Sequence, residues 1–363
     1  MSSPIRYTPS VEVIEDDEAQ TVQELVETMT KIQEITYKDG GHAIRSVHAK
    51  SHGLIDVEVI VSAGLPPELA QGLFARAGTY PGVMRYSTIP GDLLDDNVST
   101  PRGLALKVMG VEGARLPGSE AATTQDLVMV NGPAFGAPNA KKFLGTLKQL
   151  AATTDKAPGL KKALSTALQG VEKALEAVGG KSGTLIALGG HPETSVLGES
   201  YYTQVPILYG DYIAKLSIVP SSPDLKALTG AKVDLVDKPD GLRAAVVDFF
   251  ADHGAEWEIQ AQLCTDLEKM PVEDASVQWP EDESPYVTVA RIVAKPQSAW
   301  DAAKSAVIDD GLAFSPWHGL AAHRPLGSVM RARKQAYEMS KRFRAEHNHV
   351  TIEEPRSEAA TAV

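Results

Sequence analysis

In this 363-residue sequence, Arg333 and Tyr337 stand four apart within the helix-forming run Arg333-Lys334-Gln335-Ala336-Tyr337. Residues four apart share a helix face, so the guanidinium can reach the phenol oxygen. A phenol ordinarily loses its proton near pH ~10. A ferric iron and a neighbouring guanidinium both favour the phenolate, the form that ligates a metal at neutral pH. Taken alone the spacing is a weak sign, and a surface cation–aromatic pair is the plainer reading.

Other candidate chemistry is weaker. His48 and His52 are four apart and His347 and His349 two apart, but neither pair has a third ligand at motif spacing. Cys264 is the only cysteine, which excludes an intrachain disulfide and a cysteine-held metal cluster. It sits in an apolar strand pattern with nothing nearby to stabilise a thiolate. Gly179-Gly180-Lys181-Ser182 resembles the end of a phosphate loop, yet the motif's first glycine falls on Leu175 and the stretch follows a helical pattern. There is no Gly-x-Ser-x-Gly elbow.

Lys plus Arg number 35 against 47 Asp plus Glu, a formal net charge of -12. That balance argues against nucleic acid or an anionic membrane as the main partner. Met1 to Asp17 lacks a basic segment followed by an apolar run, and no apolar stretch is long enough to span a bilayer. The expectation is a cytoplasmic protein with no integral membrane association.

The elements that must position these groups follow from periodicity. Val22, Leu25, Val26, Met29 and Ile32 recur at helical steps before Gly40-Gly41, so residues 1–41 read as an acidic, then helical arm against the core or a partner subunit. In Leu54–Val61 the apolar Ile55, Val57, Val59 and Val61 alternate with Asp56, Glu58 and Ile60. Further strands are expected at Val83–Ile89, Arg102–Val111, Gln125–Asn131, Tyr201–Tyr209, Tyr212–Val219, Glu256–Cys264 and Tyr286–Ala294. Residues 139–178 read as two inserted helices broken at Pro158-Gly159, and a last helix is expected from Pro325 to His347. Residues 42–350 form one domain in this reading, and 351–363 a disordered tail. Short strands without regular helical crossovers suggest an α+β protein built on an antiparallel sheet or closed barrel.

A set of ordered motifs then points to a family. Arg45-Ser46-Val47-His48-Ala49-Lys50 resembles the Arg-x-x-His-Ala-Lys signature of the distal side of catalases. Arg85-Tyr86-Ser87-Thr88 and Pro101-Arg102-Gly103-Leu104-Ala105-Leu106-Lys107 look like that family's Arg-Phe-Ser-Thr and Pro-Arg-Gly-Phe-Ala-x-Lys strands. Asp126-Leu127-Val128, with Asn131, Pro133 and Phe135, resembles its distal-asparagine strand, and Trp279-Pro280 before Pro285-Tyr286 its Trp-Pro turn. All lie in the family's order, up to Tyr337.

The resemblance implies an eight-stranded antiparallel β-barrel with added helices, a proximal helix near the C-terminus and haem b at the barrel's interior floor. Tyr337 is then the metal ligand, the tyrosine-ligated haem of catalase being a known arrangement, with Arg333 as its guanidinium partner. Arg45, Arg85 and Arg344 match the arginines that pair with the haem propionates, since unpaired buried charge is costly. Val47 matches the small residue over the iron, Phe143 a ring stacked on haem, and Ser87 the serine that orients the distal histidine. His48 and Asn131 are the implied catalytic residues.

Two departures shape the expected activity. The family's adjacent asparagines read Val130-Asn131 here, followed by Gly132-Pro133. A one-residue slip would turn Asn131 off the haem face; a local bulge at Gly132 is expected to restore it. The family's wrapping loop and C-terminal helical domain have no counterpart in the sequence. Short catalase relatives include peroxidases, so the expectation is a haem peroxidase reducing hydrogen peroxide or organic hydroperoxides with an organic donor, with weak catalase action. A fatty-acid hydroperoxide isomerase or lyase of allene oxide synthase type and a non-enzymatic haem-binding protein are the alternatives. A homo-oligomer, dimer or tetramer, is the expected assembly.

Overall fold

The computed structural model describes residues 3–151 and 191–355. The second expected inserted helix, the Gly179–Ser182 stretch and the tail beyond 355 lie outside the described residues. Among the described residues, nine strands form one sheet: β1 (Ser51–Val61), β2 (Gly78–Thr88), β3 (Arg102–Met109), β4 (Thr124–Val130), β5 (Tyr201–Tyr202), β6 (Ile207–Tyr209), β7 (Tyr212–Pro220), β8 (Ala255–Leu263) and β9 (Val287–Ala294). Neighbours run antiparallel, and pairing of β5 with β7 and of β1 with β9 closes eight of them into a barrel; β6 adds to β7 as a hairpin. Closure removes the exposed edges of an open sheet.

The period-two pattern decides which face is inside. Ile55, Val57, Val59 and Val61 of β1 meet Met84 and Tyr86 of β2, Leu104 and Leu106 of β3 and Leu127 and Met129 of β4 in one buried cluster that fills the barrel. The intervening residues face outward. Leu54, Val83 and Met109 pack on the outer side with Ile308, Leu312 and Phe314.

The expected strand Tyr201–Tyr209 is two strands. Gln204 takes a positive φ of 63° and its amide donates to the carbonyls of Gly132 and Ala134, while Pro206 has no N–H to offer a ladder. The chain therefore leaves the sheet between β5 and β6.

Among the described residues, four longer helices cover the wall: α1 (Glu18–Gly40), α2 (Ala140–Ala151), α3 (Gly241–Asp252) and α4 (Ser328–Asn348). The apolar stripe of α1 (Val22, Leu25, Met29, Ile32) packs against Ala140, Leu144 and Leu147 of α2 and Ala332, Ala336, Met339 and Phe343 of α4. Gly41 ends α1 with φ 68°, its N–H on the Tyr37 carbonyl at 2.8 Å. The arm thus lies on the helix that carries Tyr337. Of the segment expected to be disordered from 351, Ile352 is buried and Glu354 is paired with Lys107 and His318. Among the described residues, no helix is long and apolar enough to cross a membrane.

Candidate active site

A cleft of about 640 Å³, partly open to solvent, lies between the outer face of β2–β4 and helices α1 and α4. Val47, His48, Ser87, Ala105, Val128 and Phe314 form one wall; Ala336, Tyr337 and Ser340 of α4 form the other. Because the barrel interior is filled by its own apolar cluster, the cleft stands outside the barrel. The expected interior floor is thus corrected: the alternation that buries Met84 and Tyr86 turns Arg85 and Ser87 outward to this wall.

His48 sits where the chain enters β1, with φ 55°, and its N–H is held by the Ile89 carbonyl at 2.8 Å. Its ring lies directly on Gly103, where an added Cβ would come within 2.4 Å of Nδ1. Nδ1 shares a 3.0 Å hydrogen bond with the Ser87 hydroxyl. That bond fixes the ring's orientation and leaves Nε2 for a ligand. Burial, then the charges of Arg85, Arg333 and Arg45, lower the imidazole pKa to about 3. His48 is neutral at physiological pH.

One end of the cleft is cationic. Arg45, Arg85 and Arg344 converge there on the turn at 308–312: Arg85 Nε donates to Asp309 Oδ1 at 2.7 Å, and Arg45 Nη2 and Arg344 Nη2 both donate to the Leu312 carbonyl at 3.1 Å. Arg344 is 2% exposed, and its Nε is buried without a hydrogen-bond partner. Burial and its arginine neighbours lower the pKa of Arg45, and burial and Arg85 lower that of Arg344 to about 10. Such a cluster favours an anionic group with carboxylates.

No protein-family model and no curated protein matches this sequence. Solved structures do. A fungal catalase aligns at 18% identity with a TM-score of 0.60, over 87% of this chain and 62% of that one. Catalase A from Saccharomyces cerevisiae aligns at 17% with a TM-score of 0.59, over 95% and 67%. A bacterial catalase aligns at 15% with a TM-score of 0.58, over 95% and 64%. This chain has the catalase fold. It spans about two thirds of the length of these catalases.

Within that fold the structure brings most of the expected residues together. Arg45, Val47, His48, Ser87, Arg85, Tyr337 and Arg344 all line the one cleft, with His48 and Tyr337 on opposite walls. Three others do not line it. The Arg333 guanidinium does not pair with Tyr337; it donates to Met330 Sδ at 3.6 Å and lies 5.5 Å from the Phe135 ring centre, where sulfur and π-face replace the phenol oxygen. Phe143 does not line the cleft. It packs on Phe135, ring centres 5.0 Å apart, because the apolar face of α2 is turned to α1 and α4.

Asn131 is also turned away. Its Oδ1 accepts from the Arg102 N–H at 2.7 Å, and its amide nitrogen contacts His191 Nε2 at 2.7 Å and Glu199. No bulge restores it: Gly132 N–H closes back on the Val130 carbonyl, and Val130 pairs in register with Gly103, the residue beneath His48. Val128 lines the cleft, and Val130, two residues on, shares its strand face. Asn131 instead anchors the end of β4.

Sequence reasoning missed Asp309, Phe314 and Met29. Met29 belongs to the apolar stripe of α1, a pattern that marks burial without saying against what. Asp309 lies in an acidic turn far along the chain from Arg45 and Arg85, so no spacing links it to them.

Proposed function

We propose that this chain is a haem b peroxidase that reduces hydrogen peroxide or small organic hydroperoxides at the expense of an organic donor, with slow oxygen release. The observation that carries the reading is the cleft itself: His48, oriented by Ser87, and Tyr337 of α4 line the same space, and three arginines cluster at it. The residues fit the group. Tyr337 is the oxygen ligand available from α4, and the buried, unpartnered Nε of Arg344 is a donor in want of an acceptor, as a carboxylate edge would provide. Haem, when bound, supplies the redox chemistry of peroxide cleavage.

The protein's own part is positioning and proton transfer. Neutral His48 accepts a proton at Nε2 from the entering peroxide oxygen and returns it to the oxygen that leaves as water or alcohol. Ser87 holds Nδ1 throughout. Val47 and Val128 keep the wall beside His48 apolar and limit competing water.

The division between peroxidase and catalase work rests on that wall. Disproportionation needs a second peroxide held in place, a matter of positioning. Val130 and Val128 offer it no hydrogen bond, and the amide of Asn131 is engaged elsewhere. An absorption spectrum of the purified protein is expected to show high-spin ferric, tyrosinate-ligated haem. Oxygen evolution and dye oxidation measured on one haem-quantified sample are expected to show dye oxidation dominating. Vigorous oxygen evolution with negligible dye oxidation would replace the peroxidase reading with a catalase one.

A further inference from the structure

The three arginines of the cleft are met by an acidic side chain that the catalytic reading does not use. The segment at 301–312 begins with Asp301 capping a helical turn, passes through a π-type turn at Ala306–Asp310, and drives Asp309 into the cluster. Asp309 Oδ1 accepts from Arg85 Nε at 2.7 Å and lies 3.5 Å from Arg45 Nη1. Its Oδ2 accepts from the hydroxyls of Ser51 at 2.7 Å and Ser305 at 2.8 Å. The Asp309 carbonyl takes Arg45 Nη1 at 2.9 Å and Arg344 Nη1 at 2.6 Å. One residue therefore orients all three guanidinium groups.

Its charge matters as much as its geometry. Arg45, Arg85 and Arg344 bring three positive charges and Asp309 removes one, leaving two. At the rim Lys341 and Asp310 add one charge of each sign, and His48 is neutral. We propose that Asp309 is the fixed counter-ion of this cluster, holding Arg45 and Arg85 in place and matching the site to a cofactor that carries two carboxylates.

The proposal rests on the reading of the cleft as a haem site. The side chain is 16% exposed, and its carboxylate is well held. Burial acts to raise its pKa, but Arg85, Arg45 and the Ser51 hydroxyl overcome this and keep it well below the ordinary range. Displacing it would leave a buried carboxylate without its partners, which is costly. Asp309 therefore stays in place while the bound carboxylates use the remaining donors, Arg344 Nε among them.

The test compares wild type with Asp309→Asn and the milder Ser51→Ala, each freed of haem and then reloaded with ferric protoporphyrin IX. Thermal unfolding is followed in both forms, and porphyrin binding is titrated by tryptophan fluorescence at several salt concentrations. Asp309→Asn is expected to lower Tm by on the order of 5–10 °C in both loaded and unloaded protein, and Ser51→Ala by less. The salt dependence of binding should steepen in Asp309→Asn, because the site then carries an uncompensated third charge. A loaded Asp309→Asn protein that melts at the wild-type temperature would mean that the cofactor's carboxylates displace Asp309, and the fixed counter-ion is overturned. Unchanged melting of the unloaded protein would overturn it equally. If no form binds the porphyrin, the haem reading fails and the charge matching with it, while the unloaded melts still report separately whether Asp309 holds the arginines.

Discussion

Tyr337 of α4 lines the same cleft as His48, and under the proposed function the two residues divide the chemistry between them. Tyr337→Phe keeps the ring's packing and removes the phenol oxygen, leaving α4 only the shorter Ser340 hydroxyl in the cleft lining. Haem content after purification should collapse or the haem become weakly held; an unchanged spectrum would end the ligand assignment. His48 carries a different burden. With its pKa lowered to about 3 by burial and the neighbouring arginines, the imidazole is uncharged across the physiological range, with a ring nitrogen free of a proton. His48→Ala should therefore retain haem and lose ~10²–10⁴-fold in the rate of reaction with peroxide. Stopped-flow measurement of that first reaction decides it, and a wild-type rate would make His48 structural. That both residues come to one cleft was legible in the short sequence motifs that carry them. The Arg333–Tyr337 pairing was not, because helical spacing allows a contact without selecting it over the Met330 sulfur and Phe135 ring that Arg333 takes.

At the scale of elements, the distal wall is set by the register of three strands. Ser87 of β2 pairs with Gly103 of β3, and Gly103 pairs with Val130 of β4, so serine, glycine and valine form a row beside His48. Glycine is required in the middle because the imidazole occupies the space a side chain would take. Gly103→Ala places a methyl 2.4 Å from His48 Nδ1 and 2.9 Å from the Ser87 hydroxyl, so the ring must leave its bond to Ser87. The barrel should survive, since the outward face of β3 is changed and its ladder is not. Haem should remain bound while the peroxide reaction slows toward that of His48→Ala, and a full-rate Gly103→Ala protein would show that the Ser87 bond is dispensable. Alternation on β1 and the apolar stripe of α1 could be read directly from sequence, being periodic. The break between β5 and β6 could not, since it depends on Gln204 reaching across to Gly132 and Ala134. The turn of Asn131 toward Arg102 was likewise hidden, because its partners Glu199 and His191 lie 60 residues or more along the chain.

Across the whole molecule, a second ionic cluster ties the C-terminal segment to strands β3 and β4. Lys107 and Asp126 are wholly buried, with Lys107 Nζ 2.7 Å from Asp126 Oδ1. Glu354 joins from the C-terminal segment, accepting from Thr124 at 2.7 Å and pairing with His318 at 2.9 Å. The three acceptor residues Asp126, His318 and Glu354 could hold a metal by geometry, yet the Lys107 ammonium already supplies the cation between the carboxylates. The cluster reaches the cleft through Asp126, whose Oδ2 accepts from Ser315 N–H at 2.8 Å, next to Phe314 in the cleft wall. Burial opposes charge on His318, but Asp126 and Glu354 outweigh it and raise its pKa to about 8. The folded state therefore holds a proton that the unfolded state, near 6.5, gives up sooner. The resulting stability is fully present below about pH 6.5 and is lost as pH rises through about 8, a change on the order of 2 kcal/mol. Thermal melts between pH 6 and pH 9 should fall across that interval in wild type. His318→Asn, which keeps a polar side chain but cannot hold the proton, should give a flatter profile over the same range. A wild-type Tm that stays level from pH 6 to pH 9, or a variant that falls just as steeply, would show that the clasp of Glu354 on His318 does not contribute to the fold's stability.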